Sequence, residues 1–260
     1  KVGVSNFFPE IIILNNDFSD GIPAILNDVN QLLLPSPKLG WANRKKSQHF
    51  TYYNQLAEEF SELLQIDSWL INSYFSIGTN LEFSGGEGFK ELIEPAAILL
   101  KKIKEKYDFY GIDQKPYLII KADSGTYGMG IIRIEDEQQL TQLNRKQRNK
   151  MLVTKGNQKI EQVILQEGVP TLEKIGNPAA TAEPVIYMIG ESVIGGFYRM
   201  HEGRNSTEVL NTPGMSFHPL QFASSNSDKD FSKNIPNHFY PYAVIARLAL
   251  LAAAMEAKSI

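Results

Sequence analysis

The segment from Lys121 to Gly130 carries the strongest chemical signal in the chain. Lys121 follows an apolar run, Tyr117–Ile120, and precedes a segment with glycines at 125, 128 and 130. Glycines let the backbone turn sharply and leave N–H groups free to face an anion. A lysine at the end of the preceding strand supplies a point charge for phosphate oxygens. The segment therefore predicts a phosphate site, and a plain glycine-rich hairpin turn is the alternative.

Familiar phosphate and hydrolase motifs do not fit the chain. The glycine-rich segment leads into a second apolar run, Ile131–Ile134, whereas the P-loop and the dinucleotide glycine motif both open a helix. The kinase sequence motifs are absent, and Gly214–His218 lacks the second glycine of a nucleophile elbow. With no cysteine in the sequence, thiol catalysis, disulfides and cysteine-bound metals are excluded.

Four segments further along the chain could complete a nucleotide site. Gln166–Val169 ends an apolar run, where the backbone could read adenine; an ordinary loop is the alternative. Glu183 and Arg199 lie on two predicted strands, where they could face one cleft or simply form a cross-strand ion pair. Asn211 precedes Pro213-Gly214 and is also typical of a turn.

The surrounding pattern predicts a mixed α/β or α+β fold, with a helix-rich N-terminal part followed by a sheet-rich part. Helical spacing or composition predicts helices at residues 23–33, 50–64, 95–107, 143–153 and 240–257. Apolar runs predict strands at residues 11–14, 117–120, 131–134, 163–165, 183–188 and 193–198.

Composition narrows the class of protein. The chain has 260 residues, of which 43% are hydrophobic, and this composition is typical of a folded protein. A net charge of −3 argues against bulk attraction to nucleic acid. The strongest apolar run, Ala243–Ala254, is interrupted by Arg247 and is too short for a membrane span, so we expect a buried helix there and no membrane partner. No signal peptide is visible, and a cytoplasmic location is expected.

In this order, the segments resemble an ATP-grasp ligase and, more narrowly, the ATP-grasp-like glutamate–cysteine ligase family of proteobacteria. The resemblance runs from about residue 11 to the end, and a segment between Glu10 and Ile11 looks missing, as do residues before Lys1. The residues that carry it are Leu14–Asp17, Gly21–Pro23, Gly40–Trp41, Arg44–Ser47, His49–Phe50, Ile66–Asp67, Trp69–Asn72, Tyr110–Asp113, Ile119–Ile131, Leu143–Met151, Gln166–Val169, Ala182–Val185, Gly195–Arg199 with His201, Asn211 with Pro213–Met215, and Ala246–Ala254.

The resemblance implies an ATP-grasp-like fold with two regions. Residues 1–112 would form a substrate-side region and residues 113–260 a nucleotide-binding and catalytic region, with 113–168 as a flap subdomain. The implied reaction joins the γ-carboxylate of L-glutamate to the amine of L-cysteine with ATP and Mg²⁺, the first step of glutathione synthesis. Another ATP-grasp carboxylate–amine ligase, such as a glutathione synthetase, and a non-catalytic nucleotide-binding protein are the alternatives. A homo-oligomer is left open.

The resemblance also assigns roles to residues. Lys121 and Arg199 would be catalytic. The residues expected to bind ATP are Lys121, Ser124, Gly125, Thr126, Tyr127, Gly128, Met129, Gly130, Gln166, Glu167 and Val169. Those expected to bind a substrate carboxylate or a phosphate are Arg44, Lys46, Ser47, His49, Arg145 and Arg148. The alternative for the first four residues is a solvated entrance to a helix, and the alternative for the two arginines is a charged helix face. Those expected to hold magnesium are Glu183, Glu208 and Asn211, although Val209 stands where the usual carboxylate would be.

Overall fold

The structure is a computed structural model that describes residues 1–18, 21–40, 44–125, 131–149, 151–152, 159–176, 178–220 and 239–259. These residues form two compact units. The first contains residues 1–168 and 252–260, and the second contains residues 169–251.

The described elements mix helices and strands, which confirms the predicted mixed α/β class. The α-helices are α1 (Lys46–Leu64), α2 (Glu87–Lys90), α3 (Ile93–Tyr110), α4 (Arg145–Asn149) and α5 (Phe239–Ser259). The strands are β1 (Ile11–Ile13), β2 (Leu32–Leu34), β3 (Phe75–Gly78), β4 (Leu118–Ala122), β5 (Ile132–Ile134), β6 (Val163–Glu167), β7 (Lys174–Ile175), β8 (Ala180–Ile189), β9 (Ser192–His201) and β10 (Ser216–Pro219).

An antiparallel sheet of order β3-β6-β4-β5 organises the first unit. Side chains alternate across a strand, and Leu118, Ile120 and Ala122 of β4 point into the main apolar core. Buried residues of α3, such as Ile103, belong to the same core. The other face of β4 therefore presents Lys121, and the predicted succession of strand, lysine and strand is confirmed.

The expected boundary between residues 112 and 113 falls inside this first unit. The reason is that β3, from the N-terminal segment, pairs with β6, and β6 pairs in turn with β4. Both segments thus build one sheet, while the division into substrate-side and nucleotide-side regions stays a prediction.

A second antiparallel sheet, of order β10-β9-β8-β7, organises the second unit. The predicted hairpin is confirmed, and its two strands are longer than the apolar runs that predicted them. Its turn contains Gly190 with φ of 55°, a conformation that glycine adopts without strain. The pairing places Glu183 opposite Arg199.

Two sequence-based expectations near the N-terminus are wrong. The helix expected over residues 23–33 is replaced by a short 3₁₀ turn, Ala24–Leu26, and by strand β2, because Leu32–Leu34 pairs with β1 in parallel. Strand β1 itself was expected to be buried, yet Ile11 and Ile13 are 52% and 79% exposed.

The last helix, α5, differs in part from the buried helix that was expected. Ala243, Leu248 and Ala252 are buried, but Tyr240 and Leu251 are exposed. Judged by length and composition alone, the helical segment from Tyr240 to Ser259 is long and apolar enough to cross a membrane. A single helix of this kind is weak evidence, because core helices of soluble proteins meet the same criteria.

Candidate functional site

The face of the first sheet opposite the apolar core carries a lysine with neutral hydrogen-bond partners. Lys121 Nζ donates to Gln166 Oε1 at 2.7 Å, and Gln166 Nε2 donates to Ser73 Oγ at 2.8 Å. The ammonium also lies 5.6 Å from the ring centroid of Phe50, on α1. Strand register brings the pair together, because Gln166 is paired with Ile119, two residues before Lys121 on the same face.

Lys121 forms no ion pair with a carboxylate in the described part of the chain. Burial lowers the pKa of this lysine, and the nearby Asp123 carboxylate opposes that effect. A partly buried ammonium without a counter-ion is unfavourable unless a ligand provides one. The geometry thus favours an anion at this face.

Lys46 lies on the first turn of α1 and points at the end of β4. Its Nζ donates to the backbone carbonyl oxygens of Ala122 at 2.9 Å, Asp123 at 3.3 Å and Gly125 at 2.8 Å. Burial, followed by the charge of Lys121, lowers the pKa of Lys46 to about 8, and Asp123 opposes the shift. The two ammonium groups therefore lie close enough to repel each other.

Asp123 is the buried acid at the centre of these contacts, with 1% of its surface exposed. Its Oδ1 accepts from the Ser47 backbone N–H at 2.7 Å, and its Oδ2 accepts from Ser47 Oγ at 2.6 Å and Gln162 Nε2 at 2.9 Å. The Ser47 hydroxyl, expected to bind substrate, thus holds Asp123 instead.

Arg44 and His49, both expected to bind substrate, contact the buried carboxylate of Glu256. Arg44 donates to both Glu256 oxygens, at 2.8 and 2.9 Å, and His49 Nδ1 contacts Oε1. Burial alone would raise the pKa of Glu256, but Arg44 and His49 outweigh it and hold that pKa below its ordinary value. The charges of Arg44 and Glu256 thus balance each other within the protein.

The expected adenine-reading segment contains the carboxylate of Glu167, which has several hydrogen-bond donors. The Glu167 carboxylate is buried and accepts from Trp69 Nε1 at 3.0 and 3.1 Å and from the Tyr74 N–H at 3.0 Å. Burial raises its pKa, although these donors oppose the shift. At Gly168, an added Cβ would lie 1.9 Å from the Tyr117 ring, so only glycine fits. The carboxylate has structural partners, while Val169, in the second unit, is 69% exposed.

The glycine-rich segment is only partly described. Ser124 and Gly125 follow β4, and Gly125 has φ of 81°, which favours glycine. The other residues expected to bind ATP there, Thr126, Tyr127, Gly128, Met129 and Gly130, lie outside the described residues. Their role stays a prediction.

In the second unit, Arg199 Nη1 donates to Glu183 Oε1 at 2.8 Å, which is the cross-strand ion pair that the sequence left open. Among the described residues, the buried Arg199 Nε has no hydrogen-bond acceptor. One donor of this guanidinium thus has no partner in that part of the chain.

The residues expected to hold magnesium do not fit a magnesium site in this structure. Glu183 pairs with Arg199, Glu208 pairs with Arg204 at 2.9 Å, and Asn211 is exposed. Among the described residues, no group of three or more histidines and acids is arranged to hold a metal ion. Arg145 and Arg148 lie exposed on the short helix α4.

Sequence reasoning missed the residues that support this site: Ser73, Asp123, Gln162 and Glu256. Asp123 carried one usable signal, since it lies two residues after Lys121 in the same segment. Glu256 carried none, because it lies 212 residues from Arg44 in the chain.

Comparisons with known proteins agree with the resemblance. A sequence model of the GshA family, glutamate-cysteine ligase, matches residues 1–257. A solved structure of a candidate gamma-glutamylcysteine synthetase from Methylobacillus flagellatus KT is 49% identical, with a TM-score of 0.84. That match covers 98% of this chain but 61% of the other, so this chain spans about three fifths of that relative's length. None of the curated proteins gives a significant match. The family match over nearly the whole chain shows that the chain belongs to the glutamate-cysteine ligase family.

Proposed function

We propose that this chain is part of an ATP-dependent ligase that joins the γ-carboxylate of L-glutamate to the amine of L-cysteine. Its membership of the glutamate-cysteine ligase family supports the reaction class. The single structural observation that carries the proposal is the partly buried Lys121 ammonium, whose only hydrogen-bond partner among the described residues is the neutral Gln166. A nucleotide phosphate supplies the missing negative charge.

The chemistry explains why such a cation is useful. A carboxylate is a poor electrophile, so its oxygen first attacks the γ-phosphorus of ATP, and ADP leaves. The cysteine amine then attacks the acyl carbon of the resulting acyl phosphate, loses a proton, and inorganic phosphate leaves. In the first step, negative charge spreads over the phosphoryl oxygens, and a fixed ammonium stabilises that charge.

We assign the ATP phosphates to Lys121 and to backbone N–H groups of Ser124–Gly130, and adenine to the backbone of Gln166–Val169. The catalytic role of Arg199 stays a prediction, supported by its buried Nε, which has no acceptor among the described residues. Mg²⁺ normally accompanies ATP in such reactions, but the expected carboxylates are paired with arginines, so we assign it no ligands and no step.

We restrict the proposal for substrate binding to residues whose side chains do not already contact a buried carboxylate. The side chains of Arg44, Ser47 and His49 already contact buried carboxylates, which supports a structural role for them. Arg145 and Arg148 are exposed cations and stay candidates for substrate or phosphate contact. A cytoplasmic location stays a prediction, and a homo-oligomer is left open.

Product analysis tests the function. The full-length protein is mixed with ATP and magnesium and with either glutamate plus cysteine or γ-glutamylcysteine plus glycine. We expect ADP release only with the first pair, together with γ-glutamylcysteine. Product from the second pair would instead indicate a glutathione-synthetase-like ligase, and no amino-acid-dependent ADP release would indicate a non-catalytic nucleotide-binding protein.

A further inference from the structure

The end of β4 is attached to the start of α1 by an unusually dense set of hydrogen bonds. Three carbonyl oxygens, those of Ala122, Asp123 and Gly125, accept from the single ammonium of Lys46. Hydrogen bonds from a charged donor are stronger than neutral ones. We call the four residues Lys46, Ser47, Asp123 and Gln162 the strand-end clamp.

Asp123 also completes the start of the helix. The first N–H groups of an α-helix lack partners within the helix, and the residue before α1, Lys45, provides no side-chain cap. The Lys46 N–H donates to the Asp123 carbonyl at 2.9 Å, and the Ser47 N–H donates to its carboxylate at 2.7 Å. The N-terminus of α1 is thus occupied from within the protein.

The clamp lies next to the proposed phosphate contact. Lys121 directly precedes Ala122, the first clamped residue, and α1 also brings Phe50 against the Lys121 ammonium. The same helix therefore fixes both the backbone after Lys121 and the surface beside its side chain.

We propose that Lys46 is a positioning residue that fixes the end of β4, and with it Lys121 and the beginning of the glycine-rich segment, for the nucleotide phosphates. The role of Lys46 toward nucleotide phosphates rests on the proposed function. Its role in fixing the end of β4 does not depend on that function. It replaces the expectation that Lys46 binds a substrate carboxylate, since its ammonium already has three carbonyl partners.

The structural part is tested by amide hydrogen exchange of residues 122–125 in the full-length protein without nucleotide. Lys46→Met should raise exchange there by roughly 10-fold or more, because the carbonyls lose their common donor. Lys46→Arg should give an exchange rate between those of wild type and Lys46→Met. If Lys46→Met does not fold, Lys46→Arg alone is compared with wild type. The matched control is Lys102→Met, which removes an exposed ammonium on α3 and leaves the clamp residues unchanged. Unchanged exchange in both Lys46 variants would overturn the proposal.

The functional part is tested by the Kd of the non-hydrolysable analogue AMP-PNP and the KM for glutamate. We expect Lys46→Met to weaken AMP-PNP binding by about 10-fold, with partial rescue in Lys46→Arg and an unchanged KM for glutamate. A raised KM for glutamate with unchanged AMP-PNP binding would overturn the proposal in favour of substrate binding. If wild type binds no AMP-PNP, the proposed function fails, while the exchange result still decides whether the clamp exists.

Discussion

Two groups of basic residues near the start of α1 differ in how their charge is balanced. Arg44 forms an ion pair with Glu256, which is completely buried and also contacts His49, so the arginine charge is balanced within the protein. Lys46 and Lys121 instead donate to neutral oxygens, and neither forms an ion pair in the described part of the chain. The comparison teaches that basic residues close in sequence can serve different ends: the balanced group stabilises the fold, whereas in the unbalanced group Lys46 holds backbone carbonyls and Lys121 is the residue we propose contacts a phosphate.

The largest expected effect concerns the balanced group. Glu256→Gln should lower the free energy of unfolding by about 3 kcal/mol, because it leaves Arg44 without its buried counter-ion. Chemical denaturation measures this value. Glu87→Gln is the control, since its ion pair with Lys90 is exposed and should contribute less than about 1 kcal/mol. Equal, small losses in both variants would contradict the assigned role of the first group.

Low pH should protonate the same carboxylate, that of Glu256, and so destabilise the protein. Arg44 and His49 hold the pKa of Glu256 below its ordinary value against the opposing effect of burial, so its stabilising contribution is complete above the unfolded pKa and is lost as pH falls through the folded pKa. Denaturation of wild type below about pH 5 should thus show a loss that Glu256→Gln lacks. Parallel pH profiles for the two proteins would count against this linkage.

Next in size is the unbalanced group. Lys121→Met should lower turnover by at least ~100-fold, because a charge that stabilises the transferring phosphoryl group is removed. Its stability should fall only slightly, since the lysine forms no ion pair in the described part of the chain and loses only its hydrogen bond to Gln166 and a longer-range attraction to Asp123. Steady-state ADP release and thermal unfolding give the two values, and Lys102→Met, an exposed lysine on α3, is the control. Normal turnover in Lys121→Met would remove the proposed phosphate contact.

Arg199 is an intermediate case, because it is paired with Glu183 but its buried Nε has no acceptor among the described residues. Arg199→Ala should lower turnover by at least ~10-fold, whereas Glu183→Gln, which keeps the guanidinium, should change it much less. Equal effects of the two variants would instead indicate that only the ion pair matters.

The smallest expected effect is a pH dependence of the unbalanced group. Burial and Lys121 lower the pKa of Lys46 to about 8, so nucleotide affinity should fall several-fold from pH 7 to 9 as this charge is lost. The same group should make the fold more stable over that range, because the unfolded chain binds its proton more tightly. Titration of AMP-PNP binding in wild type and Lys46→Arg tests this, and a pH-independent affinity in wild type would contradict it.

Local patterns predicted the elements around the site well. The apolar run ending at Lys121 and the hairpin of the second unit are both confirmed, because alternation and turn residues specify them locally. The prediction of a helix over residues 23–33 was wrong, because Leu32–Leu34 pairs with β1 and this pairing overrides the helical spacing.

The sequence could not predict which basic residues pair with a carboxylate in the folded protein. Arg44 and Lys46 look alike in the chain, yet one meets Glu256, 212 residues away, and the other meets backbone carbonyls around Ala122. Only the folded sheet and helix decide which cation is neutralised within the protein.

The most direct test of the central claim is a crystal structure of the full-length protein grown with AMP-PNP and magnesium. The account predicts a phosphate oxygen within about 3.2 Å of Lys121 Nζ, on the sheet face that carries Gln166. A nucleotide bound elsewhere, with Lys121 still donating only to Gln166, would contradict it.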